Sequence, residues 1–278
     1  MSVVLDQEPS RAWSRADLDC PSRVEGTVRA TTASPSAQAP TVHLFLIKGF
    51  ELRLGDEIVP VPPSSQRLVA FVALHDRAVR RGHISGALWL DVREERASAS
   101  LRSALWRTPS PGGSPLIKSS TTHLWLNPDV KVDFRVTIPR AMSALNGGVS
   151  STPTADALQQ ELALLGDDLL PDWYEDWVLI ERERFRQLRL HALEQISQRF
   201  TDAGMYSQAL QAGLAAVAAE PLRESSHRQV ISTHLREGNI SEALREYRSY
   251  SRMLAEELGV APSAAMKDLI RAAVPNFA

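Results

Sequence analysis

Cysteine is nearly absent from this chain of 278 residues: Cys20 stands alone, in a polar segment. A single cysteine builds neither a disulfide framework nor a cysteine-rich zinc site, which fits a reducing compartment. No run of about 18 apolar residues occurs, so no segment is expected to span a bilayer. The N-terminus lacks a basic start followed by an apolar core, so no secretory signal is indicated and a cytoplasmic protein is expected. Phosphate-binding loops and glycine-rich dinucleotide fingerprints are missing as well. Seven histidines are present, at positions 43, 75, 83, 123, 191, 227 and 234. Only His227 and His234 lie near one helical face, and they lack a third ligand at a metal-site spacing. Partial burial explains them better. No metal or other cofactor is expected, and no motif supports an enzyme.

What is there is asymmetric. The net charge is −2, yet residues 41–136 carry 13 Lys and Arg against 9 Asp and Glu, while residues 157–271 carry 13 against 18. A mildly basic front half suits nucleic acid, and an acidic back half would be repelled by it. Two breaks divide the chain. Residues 1–40 hold Ser, Thr, Ala and Pro without a sustained period and read as a disordered extension. Asn146-Gly147-Gly148-Val149-Ser150-Ser151-Thr152-Pro153-Thr154 marks an interdomain linker, bounded at 137–156.

Between the breaks, Val42–Ile47 and Phe50–Leu54 are strand-like, and the Gly55-Asp56 turn leads into Ile58-Val59, a small antiparallel sheet. Leu68, Val69, Phe71, Val72 and Leu74 then recur at helical spacing after Ser64-Ser65. A short helix is expected over His83–Trp89 and a third from about Glu95 to Arg107, stopped by Pro109 and Pro111. Leu116-Ile117-Lys118 and His123–Leu126 form a hairpin across Ser119-Ser120-Thr121-Thr122. Three strands, three helices and a hairpin are the layout of a winged helix-turn-helix over residues 41–136.

A recognition helix buries one face and offers the other to the major groove. On a helical wheel Ala97, Leu101, Ala104 and Leu105 point inward, while Arg96, Ala99, Arg102, Ser103 and Trp106 face out, with Arg107 at their flank. Arg grips phosphate or reads guanine, Ser donates to phosphate, and Ala99 permits close approach. Trp106 has two readings, a contact to DNA sugars or packing under the wing. Lys118 and His123 flank the hairpin tip, either as a wing that reaches phosphates or the minor groove, or as a plain polar turn. Leu90-Asp91-Val92-Arg93-Glu94-Glu95 joins the second and third helices as a protein contact or a solvated loop.

The back half, 157–273, is almost wholly helical, with helices expected at 156–165, 175–203, 207–219, 222–237, 241–257 and 263–273. Within it Gly204-Met205-Tyr206-Ser207-Gln208-Ala209-Leu210 recurs 34 residues on as Gly238-Asn239-Ile240-Ser241-Glu242-Ala243-Leu244, and Ile196 matches Val230. That period belongs to tetratricopeptide-like helix pairs. Each Gly is expected to end a helix in a left-handed conformation, Ser207 and Ser241 to cap the next, and Ala209 and Ala243 to mark helix crossings. Arg182, Arg184, Arg186 and Arg189 read as a solvated face, and Trp173, Tyr174 and Trp177 as core or interdomain anchors. The fold class is therefore an α+β winged helix-turn-helix followed by an all-α tetratricopeptide-like domain.

Leu169-Leu170-Pro171-Asp172-Trp173-Tyr174-Glu175-Asp176-Trp177-Val178, with Leu190-His191-Ala192-Leu193-Glu194, Glu220-Pro221-Leu222-Arg223-Glu224 and Glu257-Leu258-Gly259-Val260-Ala261-Pro262-Ser263, resembles the bacterial transcriptional activator domain. With an OmpR-type winged helix in front, the chain is similar to the SARP family of actinobacterial antibiotic-pathway regulators. The resemblance implies a homodimeric activator that binds direct repeats in double-stranded promoter DNA and recruits RNA polymerase through its sigma factor. It assigns DNA contacts to Arg96, Ser100, Arg102, Ser103 and Arg107 on the helix and to Lys118 and His123 in the wing. Asp91, Arg93 and Glu94 become the polymerase-contact loop. With no ATPase or sensor domain read after the helical array, a short-form member is expected. Two features depart from the family: Thr108-Pro109-Ser110-Pro111 ends the recognition helix early, and Thr122-His123 replaces a frequent Gly-Tyr at the wing tip. They leave room for the alternative, an interaction scaffold whose degenerate winged helix does not bind DNA.

Overall fold

Alternation makes the first sheet. In β1 (Val42–Phe45) and β2 (Glu51–Leu54), Leu44 and Leu52 are cross-strand partners and both are buried. β3 (Glu57–Ile58) adds to β2 beyond the Gly55 turn, where φ is +59°. The computed structural model describes residues 40–145, 160 and 162–274. The expected N-terminal extension and the Asn146–Thr154 break lie outside the described residues, and of the helix expected at 156–165 only 160 and 162–165 are described as helical.

α1 (Pro63–Ala73) opens with proline in its first turn, where the missing N–H costs nothing, and buries Leu68, Val69, Phe71 and Val72. α2 (Arg81–Leu88) and α3 (Glu94–Trp106) follow, with the two-residue strand β4 (Val79–Arg80) between α1 and α2. The hairpin is β5 (Ile117–Ser119) with β6 (His123–Leu126), and β4 pairs with β6 to make a three-stranded wing sheet, order β4-β6-β5. A further short strand, β7 (Lys131–Val132), runs parallel to β1, so the first sheet has the order β3-β2-β1-β7 and is mixed rather than antiparallel. Residues 137–145, expected in a linker, instead belong to α4 (Asp133–Leu145), which continues through Pro139.

Beyond the helical residues at 162–165, the described residues form α5 (Asp176–Asp202), α6 (Tyr206–Ala219), α7 (Glu224–Glu237), α8 (Ile240–Leu258) and α9 (Ala264–Ala273). α5 packs on α4, α6 and α7, and α7 packs on α8. The repeat is visible in the backbone. Gly204 (φ +72°) and Gly238 (φ +91°) are left-handed, and Met205 N–H donates to Phe200 at 2.8 Å as Asn239 N–H donates to His234 at 2.8 Å. The same helix-ending hydrogen bond thus occurs twice, 34 positions apart. Ala209 and Ala243 are fully buried at the crossings. Ser207 and Ser241 do not cap: α6 and α8 start one residue earlier, after Met205 and Asn239, and neither start has a side-chain cap. Ser263 does cap α9, accepting from Met266 N–H.

The two halves share a core. Leu169 and Leu170, Val178 and Phe185 join Leu44, Leu68, Phe71 and Ile84 in one buried cluster. Lys48 N–H donates to the Asp168 carbonyl at 2.8 Å and Leu170 N–H to the Leu46 carbonyl at 2.9 Å, extending the β1 edge with a distant segment. Arg182 fastens that segment by donating to the carbonyls of Leu169, Leu170 and Trp173.

Candidate nucleic-acid interface

α3 forms because its apolar residues recur on one side. Ala97, Leu101 and Ala104 are buried, and Ser65 Oγ on α1 donates to the Ala104 carbonyl at 2.8 Å. The helix lies on α1 and α2 and ends at Trp106; Thr108 Oγ1 takes up the Ala104 carbonyl at 2.9 Å, and Pro109 cannot extend the ladder. Fixing the inner face leaves the outer one free. Arg96, Arg102 and Arg107 are exposed, while Ser100 and Ser103 are half-buried beside them. Among the described residues none of these three arginines has an ion-pair partner. Unpaired guanidinium groups on a rigid helix suit phosphate oxygens and guanine edges.

The wing is held by its own turn. Ser120 Oγ accepts from the N–H of His123 at 3.0 Å, and Thr122 Oγ1 meets His123 Nδ1 at 2.8 Å. Lys118 is exposed and His123 half-buried, so of the two expected wing residues the lysine is the freer. Two cations escaped sequence reasoning. Arg80 is exposed and pairs in register with His123, and Arg81 Nε donates to the Ser120 carbonyl at 3.1 Å. β4 is too short to show a period; the run Arg77, Arg80, Arg81 was the available signal.

The loop between α2 and α3 is shorter than expected, because Glu94 already belongs to α3 and Arg93 sits at its N-cap. Asp91, Arg93 and Glu94 are all exposed. Asp91 borders a groove of about 680 Å³ between this loop and the start of α5. Its walls carry Leu90 (72% exposed), Val92, Tyr174 (79% exposed) and Ile180, with Asp91 and Asp176 on the lining. Trp173 and Trp177 are the expected anchors: Phe50 stacks on Trp173 at 6.1 Å, and Trp177 meets Phe71 edge-on at 5.1 Å. Tyr174 is not an anchor, since it stands in solvent.

Two further expectations change. Arg182 and Arg189 are not on a solvated face. Arg182 binds three carbonyls, and Arg189 is buried, with desolvation pulling its pKa down while Asp168 and Asp167 oppose that pull. α5 is packed from several sides, so Arg182 and Arg189 meet protein where a surface helix would meet water, while Arg184 stays exposed beside Glu181. His227 is buried as expected: Nδ1 lies 2.6 Å from Glu246 and Nε2 2.8 Å from the Pro221 carbonyl, with the ring stacked on Tyr250. Among the described residues no cluster of His, Cys, Asp and Glu is placed to hold a metal, and no helix is long and apolar enough to cross a membrane.

The model of the bacterial transcriptional activator domain matches residues 132–273, about half of the chain. The chain belongs to that family. It is a SARP-type transcriptional regulator, similar to the regulatory protein AfsR of Streptomyces coelicolor at 26% identity over 227 residues. That similarity covers 78% of this chain but 22% of the relative, so the chain spans about a fifth of that protein's length. Among solved structures, EmbR of Mycobacterium tuberculosis, in complex with a low affinity phosphopeptide, superposes with a TM-score of 0.67 at 18% identity. It covers 86% of this chain and 66% of EmbR, and the likeness is one of fold. In this SARP-type chain the family match begins at Val132, inside the first sheet, so the activator domain takes in α4 and the end of β7.

Proposed function

We propose that this SARP-type regulator is a sequence-specific DNA-binding activator. α3 enters the major groove, with Arg96, Ser100, Arg102, Ser103 and Arg107 as its contacts, and Lys118 and His123 extend the interface through the wing. The observation that carries this reading is the outer face of α3: three exposed arginines without ion-pair partners, on a helix whose inner face is locked to α1 and α2. Among the described residues no carboxylate pairs with that face, whereas phosphate neutralises it and releases counterions.

The protein acts as a homodimer on promoter direct repeats, in the cytoplasm at the nucleoid, and controls an antibiotic or secondary-metabolite gene cluster. Asp91, Arg93 and Glu94 contact RNA polymerase and its sigma factor. The groove beside them supports that role: Leu90, Val92, Tyr174 and Ile180 are apolar, exposed and rimmed by carboxylates, which suits a basic amphipathic partner segment. The acidic helical repeat holds the dimer or meets the same machinery.

Footprinting on the upstream regions of neighbouring genes, with and without RNA polymerase, tests the reading. A protected direct repeat that lengthens toward the promoter when polymerase is added is expected. Protection on no fragment would reject the activator and favour a protein-interaction scaffold with a degenerate winged helix.

A further inference from the structure

Among the described residues one tryptophan stands in water. Trp106 is 86% exposed, whereas Trp89, Trp125, Trp173 and Trp177 are all partly buried. Packing under the wing is excluded by that exposure. Burying an indole is among the larger apolar gains open to a folding chain, so one left in solvent on a rigid helix marks a contact surface. Its place on α3 says which. Trp106 follows Arg102 by four residues and Ser103 by three, which puts it on their face and opposite the buried Ala97, Leu101 and Ala104. Arg107 is its immediate neighbour.

We propose that Trp106 is a DNA-backbone contact: the indole packs on a deoxyribose and its Nε1–H donates to a phosphate. This rests on the DNA-binding reading above and adds a residue to it. Two observations favour DNA over a protein surface. First, Arg102 and Arg107 flank the ring without ion-pair partners, and an apolar protein surface closing over Trp106 would desolvate them uncompensated. Phosphates on either side of a sugar neutralise them. Second, Trp106 is the last residue of α3, because Pro109 and the Thr108 hydroxyl end the helix there. Recognition helices read base edges with their N-terminal residues, and the C-terminal end of such a helix meets the backbone. The indole carries one donor, no acceptor and no charge. Its contribution is therefore independent of base sequence and adds nothing to counterion release.

The test compares wild-type protein, Trp106→Ala, Trp106→Phe and Arg102→Ala on two duplexes, one carrying the footprinted repeat and one scrambled. Affinity is measured by fluorescence anisotropy of labelled DNA across a salt series. Trp106→Ala is expected to weaken both duplexes by a similar factor, about tenfold, with an unchanged salt slope. Trp106→Phe should recover part of that loss, keeping ring packing without the donor. Arg102→Ala should instead flatten the salt slope by about one unit. Because Trp106 is exposed, all variants should retain the wild-type thermal midpoint. Unchanged affinity for Trp106→Ala, with wild type and Arg102→Ala behaving as stated, overturns the contact alone. A loss confined to the repeat duplex overturns the backbone assignment in favour of a base contact. Wild-type binding to neither duplex overturns the DNA reading and this contact with it.

Discussion

Replacing Arg182 with methionine isolates what one guanidinium does at the junction of the two halves. Methionine keeps the unbranched apolar stem and removes the donors. Arg182 Nε donates to the Leu169 carbonyl at 2.8 Å, and its terminal nitrogen binds the carbonyls of Leu170 and Trp173, the latter at 2.7 Å. Leu169 and Leu170 are fully buried, and Leu170 holds a left-handed φ of +44°, costly for a leucine. Each hydrogen bond from a charged donor contributes about 1.5–3 kcal/mol when buried, but Arg182 is only half-buried, so about 1 kcal/mol per bond is the better figure. The expected loss is about 3 kcal/mol, or roughly 6–12 °C in thermal midpoint for a body of this size. Urea unfolding followed by tryptophan emission reads it, since Trp173 and Trp177 sit at the junction. DNA affinity should hold, because α3 lies on α1 and α2 and not on this segment. A shift of a few tenths of a kcal/mol would refute the reasoning and leave the segment secured by its leucines.

Arg102→Ala should cost about 1–3 kcal/mol at a cognate site in a gel-shift titration, and unchanged binding would remove Arg102 from the interface. Gly213→Ala should destabilise by about 1–2 kcal/mol in urea despite the gain in helix propensity: the new Cβ would lie 2.9 Å from Val230 Cγ2 and 3.2 Å from Ser197 Oγ, which donates to the Ala209 carbonyl. An unaltered or raised midpoint would show that α6 can shift to make room. Glu194 gives a pH dependence. Burial pushes its carboxyl up, but hydrogen bonds from Arg223, Ser225 and Ser226 outweigh burial and hold it below the ordinary glutamate range. A folded-state pKa below the unfolded one stabilises fully above the ordinary range and is lost as pH falls through the lowered value. Glu194→Gln should therefore lose less stability than wild type on acidification, measured as thermal midpoints from neutral to acidic pH; parallel curves would contradict the assignment.

What could be read in the sequence follows from which signals are local. α3 was legible because Ala97, Leu101 and Ala104 repeat on one face, and the ends of α5 and α7 because Gly204 and Gly238 supply a conformation other residues avoid. β4 and β7 were invisible. Two residues carry no period, and their partners, Leu124 and Leu44, are far along the chain. α4 was missed because the Gly147-Gly148 break behind it drew the expected linker forward over residues 137–145. Arg182 and Arg189 were misplaced because a charged residue reads as solvent-facing unless its partners are known, and those of Arg182 are backbone carbonyls with no sequence signature. At the interface, spacing identified the outward face of α3, but only exposure separated Trp106 from the half-buried tryptophans.

Asp133 shows how such separate pieces become one object. Its carboxylate accepts from the N–H groups of Leu46, Ile47 and Phe134 at the start of α4, and burial pushes it up from the ordinary range against those donors. The edge of β1 is thus met by the Asp133 side chain and, just beyond, by the backbone of Asp168 and Leu170. No cut in the chain between the winged helix and the helical array leaves both pieces whole. Cleavage before residue 168 would strip the front piece of Leu169 and Leu170, and the rear piece of the surface they fill. Chimeras that test the proposed DNA contacts should therefore graft the outer face of α3 and the wing turn onto an intact body, and leave the backbone continuous from Val42 to Arg182.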